Sequence, residues 1–312
     1  MTPAAFRHAL ILTGPTGSGK SRLALTLAER LGAEVVSMDS MALYRHMDVG
    51  TAKPSAEDRR RVPHHLIDVL DPWEPASVAW WLGRAAECVR SVEGRGKRGL
   101  VVGGTPLYLK ALLHGLFDGP PADPDLRRSL SDEAERLGSA ALHARLAAVD
   151  PPSAARLHPN DVRRIIRALE VWQLTGRPLS AWQTQWPGSV LSTQYSVLST
   201  PRVLWLDLPR DELYARIDAR AAQMFGGGLI AEAEALRRLP QPLGREAAQA
   251  VGYREAFAYL DGRVTRDEAL RLLRTRSRRL ARRQRTWFRQ RPACRPATRE
   301  LTFRLWGSTM GS

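Results

Sequence analysis

The chain has 312 residues, 44% of them hydrophobic, and a formal net charge of +15. That composition excludes a wholly disordered chain, and no run of 18 apolar residues offers a membrane-spanning helix. Residues Met1 to Ala9 run straight into a strand-like segment without a separate apolar stretch and cleavage site, so a cytoplasmic protein is expected rather than a secreted one. Cys88 and Cys294 lack CxxC spacing and read as free thiols. Almost all the positive charge is arginine; the only lysines are Lys20, Lys53, Lys97 and Lys110. Such a bias weakens net charge as evidence for a polyanionic partner and makes each lysine more informative.

Residues 8–13 predict a short buried strand, and 21–31 have the helical spacing Leu23, Leu27, Leu31. A second strand is expected over 33–38, ending at Asp39, then a helix over 77–93. A third strand, 100–102, runs into Gly103-Gly104-Thr105. From 120 to 190 the pattern turns helical, with segments at 125–137, 139–148 and 161–175; Asn160-Asp161 can cap the last and Gly176 can end it. Pro120-Pro121 and Pro187-Gly188 border this stretch. A fourth strand is expected at 203–208 with a helix from Arg210. Residues 271–291 hold ten arginines and no acid, with Leu273, Leu280 and Trp287 as an expected apolar stripe. Strands alternating with helices predict an α/β protein with a parallel sheet flanked by helices. The expected organisation is a core in two parts, 1–118 and 191–291, an inserted all-helical domain at 119–190, and a poorly structured tail at 292–312.

Gly14-Pro15-Thr16-Gly17-Ser18-Gly19-Lys20-Ser21 fits G-x-x-x-x-G-K-[ST] and sits between a strand and a helix, the context that motif requires. The loop's N–H groups and the helix N-terminus favour an anion. Lys20 is placed on the terminal phosphate and Ser21 on Mg²⁺. The motif indicates a pyrophosphate-bearing ligand without specifying ATP; kinases, hydrolases and group-transfer enzymes share it. Asp39 and Thr105 follow strand ends and are expected at the loop's mouth, where a carboxylate can hold Mg²⁺ or act as a base. Asp39 as a helix cap and Gly103-Gly104 as a plain turn stay open on position alone. His64 and His65 read as structural, and Lys53 is divided between a substrate-side and a loop-surface role.

Six runs in order, GPTGSGKS, SMDSMALYRHMDVGTAKPS, VPHHLIDVLDP, VVGGTPLYLKALL, HPNDVRRIIRALEVWQLTGRPLS and VGYREA, resemble the bacterial tRNA dimethylallyltransferase family over residues 10–290. The resemblance implies a P-loop NTPase-like fold carrying a helical insertion that clamps tRNA. It implies transfer of a dimethylallyl group from its diphosphate to N6 of the adenosine 3′ of the anticodon, in tRNAs reading codons that start with U. Asp39 is then the general base and Thr105 lies in the reaction channel with Lys20. The diphosphate falls to Gly14 through Ser21 and to Arg216 or Arg220, with Arg216 favoured. The tRNA contacts implied are Asp39, Ser40, Met41, Ala42, Thr105, Arg127, Arg163, Arg164, Ile165, Ile166, Arg167, Gly252, Tyr253 and Arg254. Arg278, Arg279, Arg282 and Arg283 on the arginine-rich helix are expected to hold RNA phosphates. The expected partners are tRNA and dimethylallyl diphosphate, with Mg²⁺ as cofactor, no membrane, and a monomeric enzyme. Two competing readings are an isopentenyltransferase of free adenine nucleotides and an ATP-driven kinase or RNA-binding module.

Overall fold

The computed structural model describes residues 3–117, 119–183 and 202–307. These fall into two compact units, residues 1–113 with 190–312, and residues 114–189. The first is built on six strands: β1 (Leu10–Thr13), β2 (Ala33–Ser37), β3 (His64–His65), β4 (Arg98–Gly103), β5 (Val203–Leu206) and β6 (Arg295–Ala297). Their order is β3-β2-β4-β1-β5-β6, and each pairing is parallel. Parallel strands need crossovers and covered faces, which explains why β1, β2 and β5 are continuously buried instead of alternating.

Side chains still divide by strand parity. Leu10, Leu12, Val35, Leu100, Val102, Leu204 and Leu206 pack with Leu23, Leu27 and Leu31 of α1 (Lys20–Leu31) and with Trp306. On the opposite parity, Trp205 meets Phe288 with ring centroids 5.9 Å apart. Trp81 of α3 (Val78–Gly94) donates its indole N–H to the Ser37 carbonyl at 3.0 Å and stacks at 4.3 Å on Tyr108 of α4 (Pro106–His114). Between β2 and β3 lies the short α2 (Ala56–Arg61), started by a Ser55–Asp58 capping box.

The second unit is helical: α5 (Pro124–Leu137), α6 (Ser139–Val149), α7 (Pro151–Arg156), α8 (Val162–Thr175) and α9 (Leu179–Trp182). Leu130, Leu142, Leu146, Ile165 and Leu169 form its core. Gly176 ends α8 in the left-handed conformation, its N–H on the Trp172 carbonyl, while Asp161 occupies the N-cap position without a side-chain capping bond. Pro187-Gly188 lies outside the described residues.

After β5 come α10 (Arg210–Gly226), α11 (Leu229–Arg237), α12 (Arg245–Ala248), α13 (Tyr253–Leu260) and α14 (Arg266–Arg289). Two expectations fail here. The buried stripe of α14 is Ala269, Leu273, Ser277, Ala281, Gln284 and Phe288, not Leu273, Leu280, Trp287. A straight helix repeats every 3.6 residues, so an exact heptad drifts off the buried face. The described part of the tail, to Gly307, is also structured: β6 adds to β5 and α15 (Arg299–Gly307) packs on α1, burying Trp306. Pro296 is compatible with this strand because β6 lies at the sheet edge.

No helix among the described residues is long and apolar enough to cross a membrane.

Candidate active site

Three turns leave the carboxyl ends of β1, β2 and β4, adjacent strands at the centre of the sheet, and so meet at one edge. The first is the loop Gly14–Gly19. Gly14, Gly17 and Gly19 adopt positive φ of 150°, 83° and 84°. A side chain at Gly17 would also strike Ile217, so glycine is required by both backbone and space. The Ser18 N–H donates to the Pro15 carbonyl at 3.2 Å, while the buried Ser18 hydroxyl has no protein partner among the described residues. Lys20 opens α1, its ammonium 3.4 Å from the Pro15 carbonyl. Burial pushes its pKa down to about 8, with Arg220 adding to the depression and Asp39 opposing it.

The second turn, after β2, carries Asp39. Its Oδ1 accepts the Met41 N–H at 2.9 Å, a local turn bond that leaves no helix for it to cap. The third turn, after β4, is Gly103-Gly104-Thr105. A Cβ at Gly103 would fall on the Met38 backbone, and one at Gly104 would lie 2.8 Å from Gln284 Nε2 and 3.0 Å from the Gly14 carbonyl. The two glycines therefore let the second and third turns approach both each other and the phosphate loop. The Thr105 hydroxyl accepts the Ser40 N–H at 3.1 Å, fixing the residue next to Asp39.

One face of α10 supplies two arginines, four residues apart. Arg220 donates to the Thr16 hydroxyl at 2.5 Å; burial lowers its pKa and Asp39 raises it. Arg216 lies beside Gly19, is 48% exposed, and pairs with Glu212 at 2.6 Å. Both candidates therefore reach the loop, with Arg220, not the favoured Arg216, on its inner side with Lys20 and Asp39.

Sequence reasoning missed Gln284. It lies on α14, almost wholly buried, and its side-chain oxygen accepts the Thr16 N–H at 2.8 Å while its amide nitrogen donates to the Gly104 carbonyl at 2.7 Å. No motif marks it; the only signal is an uncharged polar residue at helical spacing from Ala281 and Phe288 in an arginine-rich run.

Several implied RNA contacts also hold the structure together. Ile165 and Ile166 point into the helical core and Ala42 is buried, so helical periodicity and turn packing withdraw their side chains from solvent. Tyr253 is buried; its hydroxyl donates to Glu232, which also accepts the N–H groups of Asp48, Val49 and Gly50. Gly50 has no room for a Cβ against the Tyr253 ring, and Gly252 adopts a φ of 106° as the N-cap of α13. Arg278 makes a two-pronged ion pair with Asp218 of α10. In the helical unit Glu170, fully buried, accepts two hydrogen bonds from Arg127 at 2.9 and 3.0 Å and one from Arg167 at 2.5 Å. Burial alone would raise the Glu170 pKa, but these two guanidinium groups prevail and lower it.

Arg163, Arg164, Arg254, Arg279, Arg282 and Arg283 are exposed. The carboxylate opposite Arg164 is the nearby Asp161 at 3.4 Å, and Met41 is half-buried beside Asp39. Lys53 does not take the loop-surface role: its side chain is 1% exposed and donates to Asp48, Asp68 and the Tyr44 carbonyl. His64 and His65 are structural, bound to the Val62 carbonyl and Glu34.

No group of three or more metal-ligating side chains occurs among the described residues. The exposed Ser21 hydroxyl in the first turn of α1 and the Asp39 carboxylate are hard oxygen donors. That donor set suits a Mg²⁺ ion which also takes diphosphate oxygens and water.

The IPP transferase family model matches residues 42–291, and the isopentenyl transferase model matches residues 7–66. The chain belongs to the IPP transferase family, that of the tRNA dimethylallyltransferases. The tRNA dimethylallyltransferase of Geobacter metallireducens is 48% identical over 281 residues, covering 90% of this chain and 89% of its own. That of Stenotrophomonas maltophilia is 46% identical, covering 90% and 89%. The crystal structure of the full-length tRNA isopentenylpyrophosphate transferase from Bacillus halodurans aligns with a TM-score of 0.65 at 41% identity, covering 94% of this chain and 90% of that one. A eukaryotic dimethylallyltransferase acting on tRNA shares the fold, with a TM-score of 0.71 at 24% identity over 96% and 76% of the chains. A parallel sheet flanked by helices, with the fold of the P-loop NTPases, is thus common to this family and this chain.

Proposed function

We propose that this protein transfers a dimethylallyl group from dimethylallyl diphosphate to N6 of the adenosine 3′-adjacent to the anticodon, in tRNAs reading codons that start with U. The observation that carries the reading is the gathering of Lys20, Arg220 and Asp39 at the mouth of the phosphate loop, with Arg220 donating to the Thr16 hydroxyl and Asp39 near enough to favour the charged form of both cations.

The adenine N6 amine is a weak nucleophile because its lone pair is delocalised into the ring. Asp39 removes its proton as the nitrogen bonds to the terminal allylic carbon. The carbon–oxygen bond to diphosphate breaks in the same event, and the diphosphate leaves with the bonding pair. Lys20, the N–H groups of Gly17, Gly19, Lys20 and Ser21, Arg220 and, at the rim, Arg216 hold that departing charge. Ser21, with diphosphate oxygens, would hold Mg²⁺, which supplies further charge neutralisation when bound. Thr105 and Ser40 keep Asp39 at its station.

An adenosine inside a stacked loop cannot reach such a site, so the base must be turned out of the stack. Arg279, Arg282 and Arg283 on α14, Arg254 on α13 and Arg163 and Arg164 on α8 are the exposed cations suited to RNA phosphates. Ser40 and Met41 flank the incoming base; Arg127 and Arg167, fixed by Glu170, present what remains of their charge. The protein is taken to act as a cytoplasmic monomer.

The test mixes protein, Mg²⁺ and dimethylallyl diphosphate labelled in the allyl group with unmodified tRNA, AMP and ATP together. Label in tRNA alone is expected. Label in AMP, or phosphate released from ATP without transfer, would replace the reading with one of its competitors.

A further inference from the structure

Helix α14 presents two chemically different sides. Arg279, Arg282 and Arg283 lie exposed along it, with no ion-pair partner among the described residues. Arg276, Arg278, Arg285 and Arg289 are instead anchored to Glu255, Asp218 and Asp207, which fixes the helix against α13, α10 and the end of β5. Next to Arg283 but turned inward is Gln284.

The Gln284 amide bridges the phosphate loop and the turn after β4. One end accepts from Thr16, inside the phosphate loop, whose hydroxyl is held from the other side by Arg220. The other end donates to Gly104, whose neighbour Thr105 fixes Ser40 beside Asp39. A primary amide matches this pair of bonds because it is a donor and an acceptor at once; a carboxylate, an ammonium or a hydrocarbon of similar size lacks one function or both. The Gln284 bond also takes up the Thr16 N–H, so that donor belongs to the helix and not to a bound anion.

We infer that Gln284 is a positioning residue that ties the arginine helix to both glycine turns, so that RNA seated on Arg279, Arg282 and Arg283 and diphosphate seated in the loop each strengthen the binding of the other. This inference rests on the transferase reading above. A helix anchored at several points and bonded to both turns displaces them when it is displaced, and linkage makes the effect equal in both directions.

The test measures the dissociation constant of an anticodon stem-loop RNA with and without dimethylallyl S-thiolodiphosphate, a non-transferring analogue, and of the analogue with and without RNA. In the unaltered protein each ligand is expected to tighten the other by about fivefold or more, within the usual span of coupling between sites. In Gln284→Leu the two separate affinities should stay within about threefold while the mutual tightening falls to none. With the other substrate saturating, KM for each substrate should rise by about the factor of coupling lost. Gln284→Glu keeps the acceptor for Thr16 and loses the donor for Gly104, and should show the same loss of coupling. If the leucine variant melts early, the glutamate variant decides by the same measure. Undiminished coupling in a folded variant, or no coupling in the unaltered protein, overturns the inference. Should labelled allyl group fail to reach tRNA in the unaltered protein, it is the transferase reading that falls.

Discussion

At the scale of single residues, Lys20 sets a pH dependence for the site. Burial holds its pKa at about 8, below the 10.5 of an ordinary lysine, because desolvation outweighs the attraction of Asp39. A diphosphate in the loop adds negative charge beside the ammonium and favours its protonated form. Near pH 8, binding should therefore take up about half a proton, and affinity should fall as pH rises above 8. Calorimetry in two buffers of different ionisation enthalpy measures this; Lys20→Arg should abolish the uptake. Glu34 behaves in the opposite sense. Burial would raise its pKa, yet Lys97, His65 and Arg95 bring it down to about 2 from 4.5. The folded value lies below the unfolded one, so the stabilisation is complete above about pH 4.5 and is lost as pH falls toward 2. Glu34→Gln should cost on the order of 2–3 kcal/mol at pH 7 and far less at pH 2, read by denaturant unfolding. Gly103→Ala should unfold at markedly lower denaturant, because the Met38 backbone occupies the space of the added methyl. Lys20, Asp39 and Thr105 were legible from their places after strands. Lys53 was not, because a buried lysine with two carboxylates looks in sequence like any loop lysine.

At the scale of elements, the four central strands and the long helices followed from apolar runs and helical spacing. Two strands did not. β3 is two residues long and β6 reads Arg-Pro-Ala; each exists only because a neighbour offers an edge with free backbone groups. Helix α14 was legible as an arginine-rich helix, but which arginines are engaged was not, since their carboxylate partners come from α10, α13 and the turn after β5. That division makes a prediction. Replacing Arg279, Arg282 and Arg283 with alanine should reduce the slope of log affinity for tRNA against log salt by roughly 2–3, with thermal stability little changed. Arg278→Ala should instead destabilise the protein by about 0.5–1 kcal/mol through loss of the partly exposed pair with Asp218, and alter the salt slope far less. An equal change of slope in both variants would mean that the pairing with Asp218 gives way to RNA.

At the scale of the molecule, parallel topology with β4, β1 and β2 adjacent brings three sequence-distant turns together, so one sheet edge can hold a leaving group and a base at once. The VGYREA run divides: Arg254 is exposed, while Tyr253 with Glu232 fixes residues 48–50 and Glu255 binds both Gly252 and Arg276. The burial of that tyrosine is a property of the assembled fold, invisible to local pattern. The central claim is that Asp39 takes the proton from the reacting nitrogen while the loop around Lys20 holds the diphosphate. Single-turnover transfer to tRNA, with enzyme and dimethylallyl diphosphate in saturating excess, tests it most directly by comparing the unaltered protein with Asp39→Ala. The rate should fall by about 10²–10⁴, the usual worth of a general base, while tRNA affinity stays within about threefold. Transfer by the alanine variant at the unaltered rate would contradict the account.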